Sequence, residues 1–137
     1  MEPFDAHVKP GQRIDEYVVK EQIAIGGFGT VWRANHVETD TIAAIKVLHA
    51  HLVSSETLIL RLEREARAIA SMRHPNIVEL YAHGRLPDGR PYLVMEYLTG
   101  RDLGTHLALR GTLSPSQIAP ILEQLCKALS AAHNAGI

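Results

Sequence analysis

The order of hydrophobic periodicities along the 137 residues predicts an α+β fold: three strand-like segments, one helix, two further strands and two final helices. Three observations support it. Two β-rich runs flank a glycine-rich turn, Gly26-Gly27-Phe28-Gly29; a stretch of strong helix formers separates them from a second hairpin; and Ser114-Pro115-Ser116-Gln117 opens a last helix with capping chemistry. Because the strands follow one another as hairpins before and after a single helix, an alternating βαβ sheet is excluded.

Residues 1–15 are polar, contain Pro3, Pro10 and Gly11, and form a leader whose end is expected to dock beside the first strand. Strand character begins at Tyr17, runs to Ile25, and resumes after the glycine turn from Thr30 to Val37, giving an antiparallel hairpin with a flexible tip. The polar turn Glu38-Thr39-Asp40 leads into a third strand over 41–48. Ser54-Ser55 then starts a helix reaching about Met72, with Leu58, Leu62, Ile69 and Met72 on one stripe. His74-Pro75-Asn76 ends it, since proline disfavours helical geometry in the residue before it. Segments 77–82 and 92–97 are two more strands, joined across Pro87-Asp88-Gly89. Leu98-Thr99-Gly100 connects to a short helix over 102–109, closed by Arg110-Gly111. The last helix carries Ile118, Ile121, Leu122, Leu125, Leu129 and Ala132 on a face expected to be buried, with a slight kink at Pro120.

Composition narrows the functional classes. At 46% hydrophobic and 21% charged residues the chain is expected to be globular, and 14 basic against 15 acidic residues give a net charge of −1. Nothing electrostatic favours nucleic acid or an anionic membrane as partner. The longest apolar candidate, 41–53, is broken by Lys46, His49 and His51 and falls short of the ~18–20 residues of a membrane span. The first residues lack the basic and apolar regions of an export signal, and the single cysteine, Cys126, excludes an internal disulfide, so the expected location is cytoplasmic. Eight histidines are scattered without metal-ligand spacing and are expected to be solvated or hydrogen-bonded.

Two charges stand where hydrophobicity alone would not put them. Lys46 lies in the apolar strand Ala43-Ala44-Ile45-Lys46-Val47-Leu48, and Glu65 falls on the apolar stripe of the following helix. An unpaired buried charge is costly, so the two are expected to meet. Glycines let backbone N–H groups approach phosphate oxygens without an intervening Cβ, and Lys46 would supply the compensating charge. Taken singly, each has a plainer reading: a tight hairpin turn, a lysine snorkelling from a strand edge, a solvated glutamate. Taken in order, with His74-Pro75-Asn76 and Met95-Glu96-Tyr97, they point to a nucleotide site.

Over residues 12–137 these motifs resemble the first half of a eukaryotic-like serine/threonine protein kinase domain, of the kind common in bacteria. The resemblance implies a small lobe and hinge over 16–100, with a five-stranded antiparallel sheet plus helix C, then the first two helices of an incomplete large lobe over 101–137. It implies ATP as ligand beneath Ile23, Ala24, Ile25, Gly26, Gly27, Phe28, Gly29, Thr30 and Val31, with Phe28 as a lid and Ala24 in place of the family's first loop glycine. By resemblance Lys46 holds the α- and β-phosphates, and Glu65 fixes Lys46. Val31 and Ala44 would flank adenine, Met95 would be the gatekeeper, and Glu96 and Leu98 the hinge contacts. Asp102 would approach the ribose, although aspartate there is also a favourable helix cap. Ile69 and Leu80 look like apolar posts coupling helix C to the core.

Residues 131–137 look like the lead-in to the family's catalytic loop. The aspartate that orients the substrate hydroxyl and the residues that hold Mg²⁺ are therefore expected to be missing, and the 137 residues alone to be inactive. Mg²⁺ and a protein substrate would belong to the complete enzyme. The alternative is a non-catalytic nucleotide-binding or kinase-docking module, or a decayed fragment. A dinucleotide-binding Rossmann unit is disfavoured, because the glycines join two strands and no helix follows them.

Overall fold

Six strands form one antiparallel sheet in the computed structural model, which describes residues 8–137. They are β1 (Arg13–Ile14), β2 (Tyr17–Ile25), β3 (Gly29–His36), β4 (Ile42–Leu48), β5 (Leu80–Arg85) and β6 (Pro91–Glu96), in the spatial order β1-β2-β3-β4-β6-β5. The helices are α1 (Glu56–Ala70), α2 (Leu103–Arg110) and α3 (Pro115–Asn134), and a short 3₁₀ turn at Ala50–Leu52 follows β4. Five strands match the expected segments to within a few residues, and β1 is an addition. Gly11 adopts φ 87°, which turns the chain so that its N–H donates to the Val19 carbonyl at 2.8 Å; Arg13 and Ile14 then pair with Val18 and Tyr17. The end of the leader docks as expected, and it also contributes Val8 and Ile14 to the core. Its residues 1–7 lie outside the described residues.

Alternation along the strands gives the sheet two different faces. One carries the main core, including Val19, Trp32, Ala34, Ile45, Val47 and Val94. The other presents Val31, Ala44, Lys46, Leu93 and Met95, and at its β5–β6 end α1 packs across it. Ser55 caps α1 by accepting the Leu58 N–H at 3.3 Å. The fully buried residues of α1 are Ile59 and Ala66, while Leu62 and Ile69 of the expected stripe line the space against the sheet, so the packed face is centred to one side of that stripe. That rotation decides where Glu65 ends up.

The expected burial of α3 is not found. No residue of α2 or α3 is buried, and Leu122 and Leu125 are about half exposed, at 49% and 51%. The capping box at Ser114 and Gln117 is formed and the helix runs unbroken through Pro120, so local sequence makes the helix while nothing among the described residues covers its apolar face. It touches the rest near residue 76, where Asn76 donates to the Gln124 side chain at 3.3 Å. No helix among the described residues is long and apolar enough to cross a membrane.

Candidate nucleotide site

Register places the sequence-predicted residues side by side. Ala24 pairs with Val31, Val31 with Lys46, and Ala44 with Met95, and directly paired residues of an antiparallel ladder point to the same face. Ala24, Val31, Ala44, Lys46 and Met95 therefore share one surface. Two irregularities in β2, between Val19 and Glu21 and between Gln22 and Ala24, each insert a residue; an insertion of two restores the alternation of faces, which keeps Ala24 on the side of Val31 and leaves Lys20 and Ile23 without register partners. Thr30 is turned to the other face: it is buried, and its Oγ1 accepts the Trp32 indole N–H at 3.0 Å. The side chain of Thr30 is thus not brought to the site, because the two-residue period sends Thr30 and Val31 in opposite directions.

The glycines of the turn have different reasons to be glycine. A Cβ on Gly29 would collide with the backbone carbonyl of Val47, so this residue is required by the close approach of β3 to β4. A Cβ on Gly27 would meet nothing within 4 Å, and one on Gly26 only the Gly29 carbonyl at 3.9 Å. Both therefore have open space where a Cβ would stand; Gly26 spends its N–H on the Gly29 carbonyl at 2.9 Å, so Gly27 and Phe28 are the residues whose N–H groups remain for a polyanion. Ile25 and Phe28 are exposed at the tip, Phe28 where a lid would be.

One residue here was set aside in reading the sequence. His49 is 4% exposed, and its Nε2 lies 2.7 Å from the carbonyl oxygen of Gly26; since the carbonyl can only accept, Nε2 carries the proton. Its backbone N–H donates to the Phe28 carbonyl at 3.0 Å. The available signal was positional: His49 follows Leu48, the register partner of Gly29.

Lys46 is half-buried and makes no ion pair with any described residue. The expected pair with Glu65 is not formed. Glu65 accepts from Arg61 Nε at 3.0 Å, one helical turn back, and its carboxylate lies at the margin of the packed face rather than its centre. Glu65 lines a cavity of about 420 Å³ together with Leu62, Ile69, Leu80, Leu93 and Met95, so the two apolar posts, Ile69 and Leu80, do face a common space. Arg85 ties α1 to β5, with Nε 2.6 Å from Glu63 and Nη2 3.5 Å from Glu56. The hydrogen bond from Arg85 holds the Glu63 carboxyl below its usual range.

At the other end of the site, Glu96 donates its N–H to the Glu79 carbonyl at 2.9 Å and accepts the Glu79 N–H on its carboxylate at 3.2 Å; Leu98 is exposed. Asp102 caps α2. Its carboxylate accepts the Thr105 N–H at 2.8 Å and the Thr105 hydroxyl at 2.9 Å, and the backbone bond is the main reason its pKa is lowered.

The family model described as the protein kinase domain matches residues 17–137. The chain belongs to the protein kinase domain family. Curated relatives include serine/threonine-protein kinase pkn3 of Myxococcus xanthus, 36% identical over 89% of this chain and 22% of its own length. PknL of Mycobacterium bovis is 38% identical over 88% of this chain and 30% of its own, and PrkC of Bacillus subtilis 36% identical over 90% and 19%. The kinase domain of Mycobacterium tuberculosis PknI superposes with a TM-score of 0.86 at 25% identity, covering 95% of this chain and 53% of that one. This kinase chain thus spans less than a third of the length of these curated relatives, and corresponds to the N-terminal part of a serine/threonine protein kinase domain: a curled antiparallel sheet, helix C as α1, and the helices that follow.

Proposed function

We propose that this chain binds ATP between the glycine-rich turn and the Lys46 face of the sheet, and that in the complete enzyme this site serves phosphoryl transfer to serine or threonine of a protein substrate. The observation that carries the proposal is Lys46, a half-buried cation with no acidic partner among the described residues, in register with Val31 beside a turn whose Gly26 and Gly27 are uncovered. That turn and that cation fit a polyphosphate: the N–H groups of Gly27 and Phe28 and one unneutralised ammonium suit a polyanion and suit little else. Ala24, Val31, Ala44 and Met95 offer an apolar surface to a base, with Glu96 and Leu98 as the backbone edge and Asp102 beyond. The chemistry supplied by bound ATP is its transferable γ-phosphoryl group. Lys46 would hold phosphate oxygens and neutralise their charge, Phe28 at the tip would exclude water, and Glu65 would exchange Arg61 for Lys46 by movement of α1, since an exposed i,i+4 pair is worth only about 0.3–0.5 kcal/mol. Mg²⁺ and the protein substrate are assigned to the complete enzyme, because the family's metal-holding and hydroxyl-orienting residues have no counterpart in these 137 residues. The 137 residues alone would then bind nucleotide without turnover, and Cys126, a free thiol, suits a cytoplasmic setting.

Titration with a fluorescent ATP analogue, with and without Mg²⁺, tests this. Lys46→Met should weaken binding at least about tenfold, the loss of one charge-assisted contact. Equal affinity in wild type and variant would refute the site. A kinase-docking module is the second reading, favoured by the exposed apolar residues of α2 and α3. No binding at millimolar nucleotide would leave that reading or a decayed fragment.

A further inference from the structure

We infer that His49 is a positioning residue for the glycine-rich turn, fixing it where the backbone N–H groups of Gly27 and Phe28 meet phosphate; this rests on the nucleotide reading above. The turn has little else to hold it. Its one internal bond runs from the Gly26 N–H to the Gly29 carbonyl at 2.9 Å, and Gly27 has open space around it. A glycine pair so free loses much conformational entropy when it orders around a ligand. His49 grips it at two points two residues apart: the ring on the Gly26 carbonyl at 2.7 Å, the backbone on the Phe28 carbonyl at 3.0 Å. Both carbonyls are thereby drawn toward β4, leaving the N–H groups of the tip for a ligand. His49 is itself held. Its carbonyl accepts the Leu52 N–H at 3.1 Å as the 3₁₀ turn begins, and the His51 ring stacks on its own at a centroid distance of 5.5 Å. A turn ordered before binding pays less entropy at the moment of binding, which is how a residue that need not touch the nucleotide raises its affinity.

The test uses the 137-residue chain with two substitutions. His49→Phe keeps ring volume and the backbone donor while removing the ring N–H; His49→Gln restores a side-chain N–H. Amide hydrogen exchange at Gly26, whose N–H is bonded to the Gly29 carbonyl within the turn, should run about tenfold faster in H49F, with Ile45 and Val47 unchanged. Affinity for the fluorescent ATP analogue should fall about threefold to tenfold, and H49Q should recover most of both losses. Wild-type exchange at the turn in H49F would overturn the inference, and so would faster exchange with undiminished affinity. A wild-type chain that binds no nucleotide refutes the nucleotide site itself, while the exchange rates still decide whether His49 holds the turn.

Discussion

Within the turn, the residue whose identity is fixed by sterics is Gly29, and the glycine left open for a ligand is Gly27. Gly29→Ala should destabilise the fold by roughly 1–3 kcal/mol, because the clash is with the backbone of β4 and no rotamer change relieves it. Gly27→Ala, with nothing in reach, should leave the urea midpoint almost unchanged and show its effect in nucleotide titration instead. Urea denaturation of the two variants separates them; equal loss of stability would refute the assignment. The four letters 26–29 announced a glycine-rich turn without distinguishing these duties. The distinction depends on how closely the backbone of Val47 in β4 approaches, which residue type alone does not encode.

The helix α1 was legible as an element and misjudged in rotation. A stripe through Leu58, Leu62, Glu65 and Ile69 is a fair reading of periodicity, and Leu62 and Ile69 do face the sheet, yet the most deeply buried residues are Ile59 and Ala66 beside it. Arg85 helps decide this, binding Glu63 and Glu56 on the flank of the helix and drawing it toward β5. Those contacts make the docking of α1 sensitive to acid. The folded-state pKa of Glu63 is lowered from its ordinary 4.5, so its contribution is complete above that value and is lost as pH falls through and below it. Glu63→Gln should lower the urea midpoint modestly at pH 7 and narrow its difference from wild type as pH falls toward 3. A difference constant with pH would show that the carboxylate does not anchor the helix. The rotation was not available from one sequence because Arg85 lies on a strand 22 residues beyond Glu63, and which helix face meets the strand depends on that pairing.

For the chain as a whole, α2 and α3 present the exposed apolar residues Leu103, Leu107, Leu122, Leu125 and Leu129. Exposed apolar side chains along a helix favour association. Leu122→Glu combined with Leu129→Glu should shift sedimentation toward monomer while changing stability by no more than about 0.5 kcal/mol, since neither side chain is buried. Unchanged sedimentation would assign any self-association to another surface, and a large loss of stability would show that these leucines pack.

The resemblance implied the grouping of Val31, Ala44, Lys46 and Met95, which strand register puts on one face. Sequence alone determined the element order, the hairpin around Gly26-Gly27 and the caps at Ser55, Asp102 and Ser114. These follow from local periodicity and capping chemistry, which act over a few residues. Tertiary structure decided the extra strand β1, the partner of Glu65, the grip of His49 on the turn and the exposure of α3. Each of these depends on where a distant segment comes to rest, or on whether one does, and packing between segments settles that where neighbours in the chain cannot.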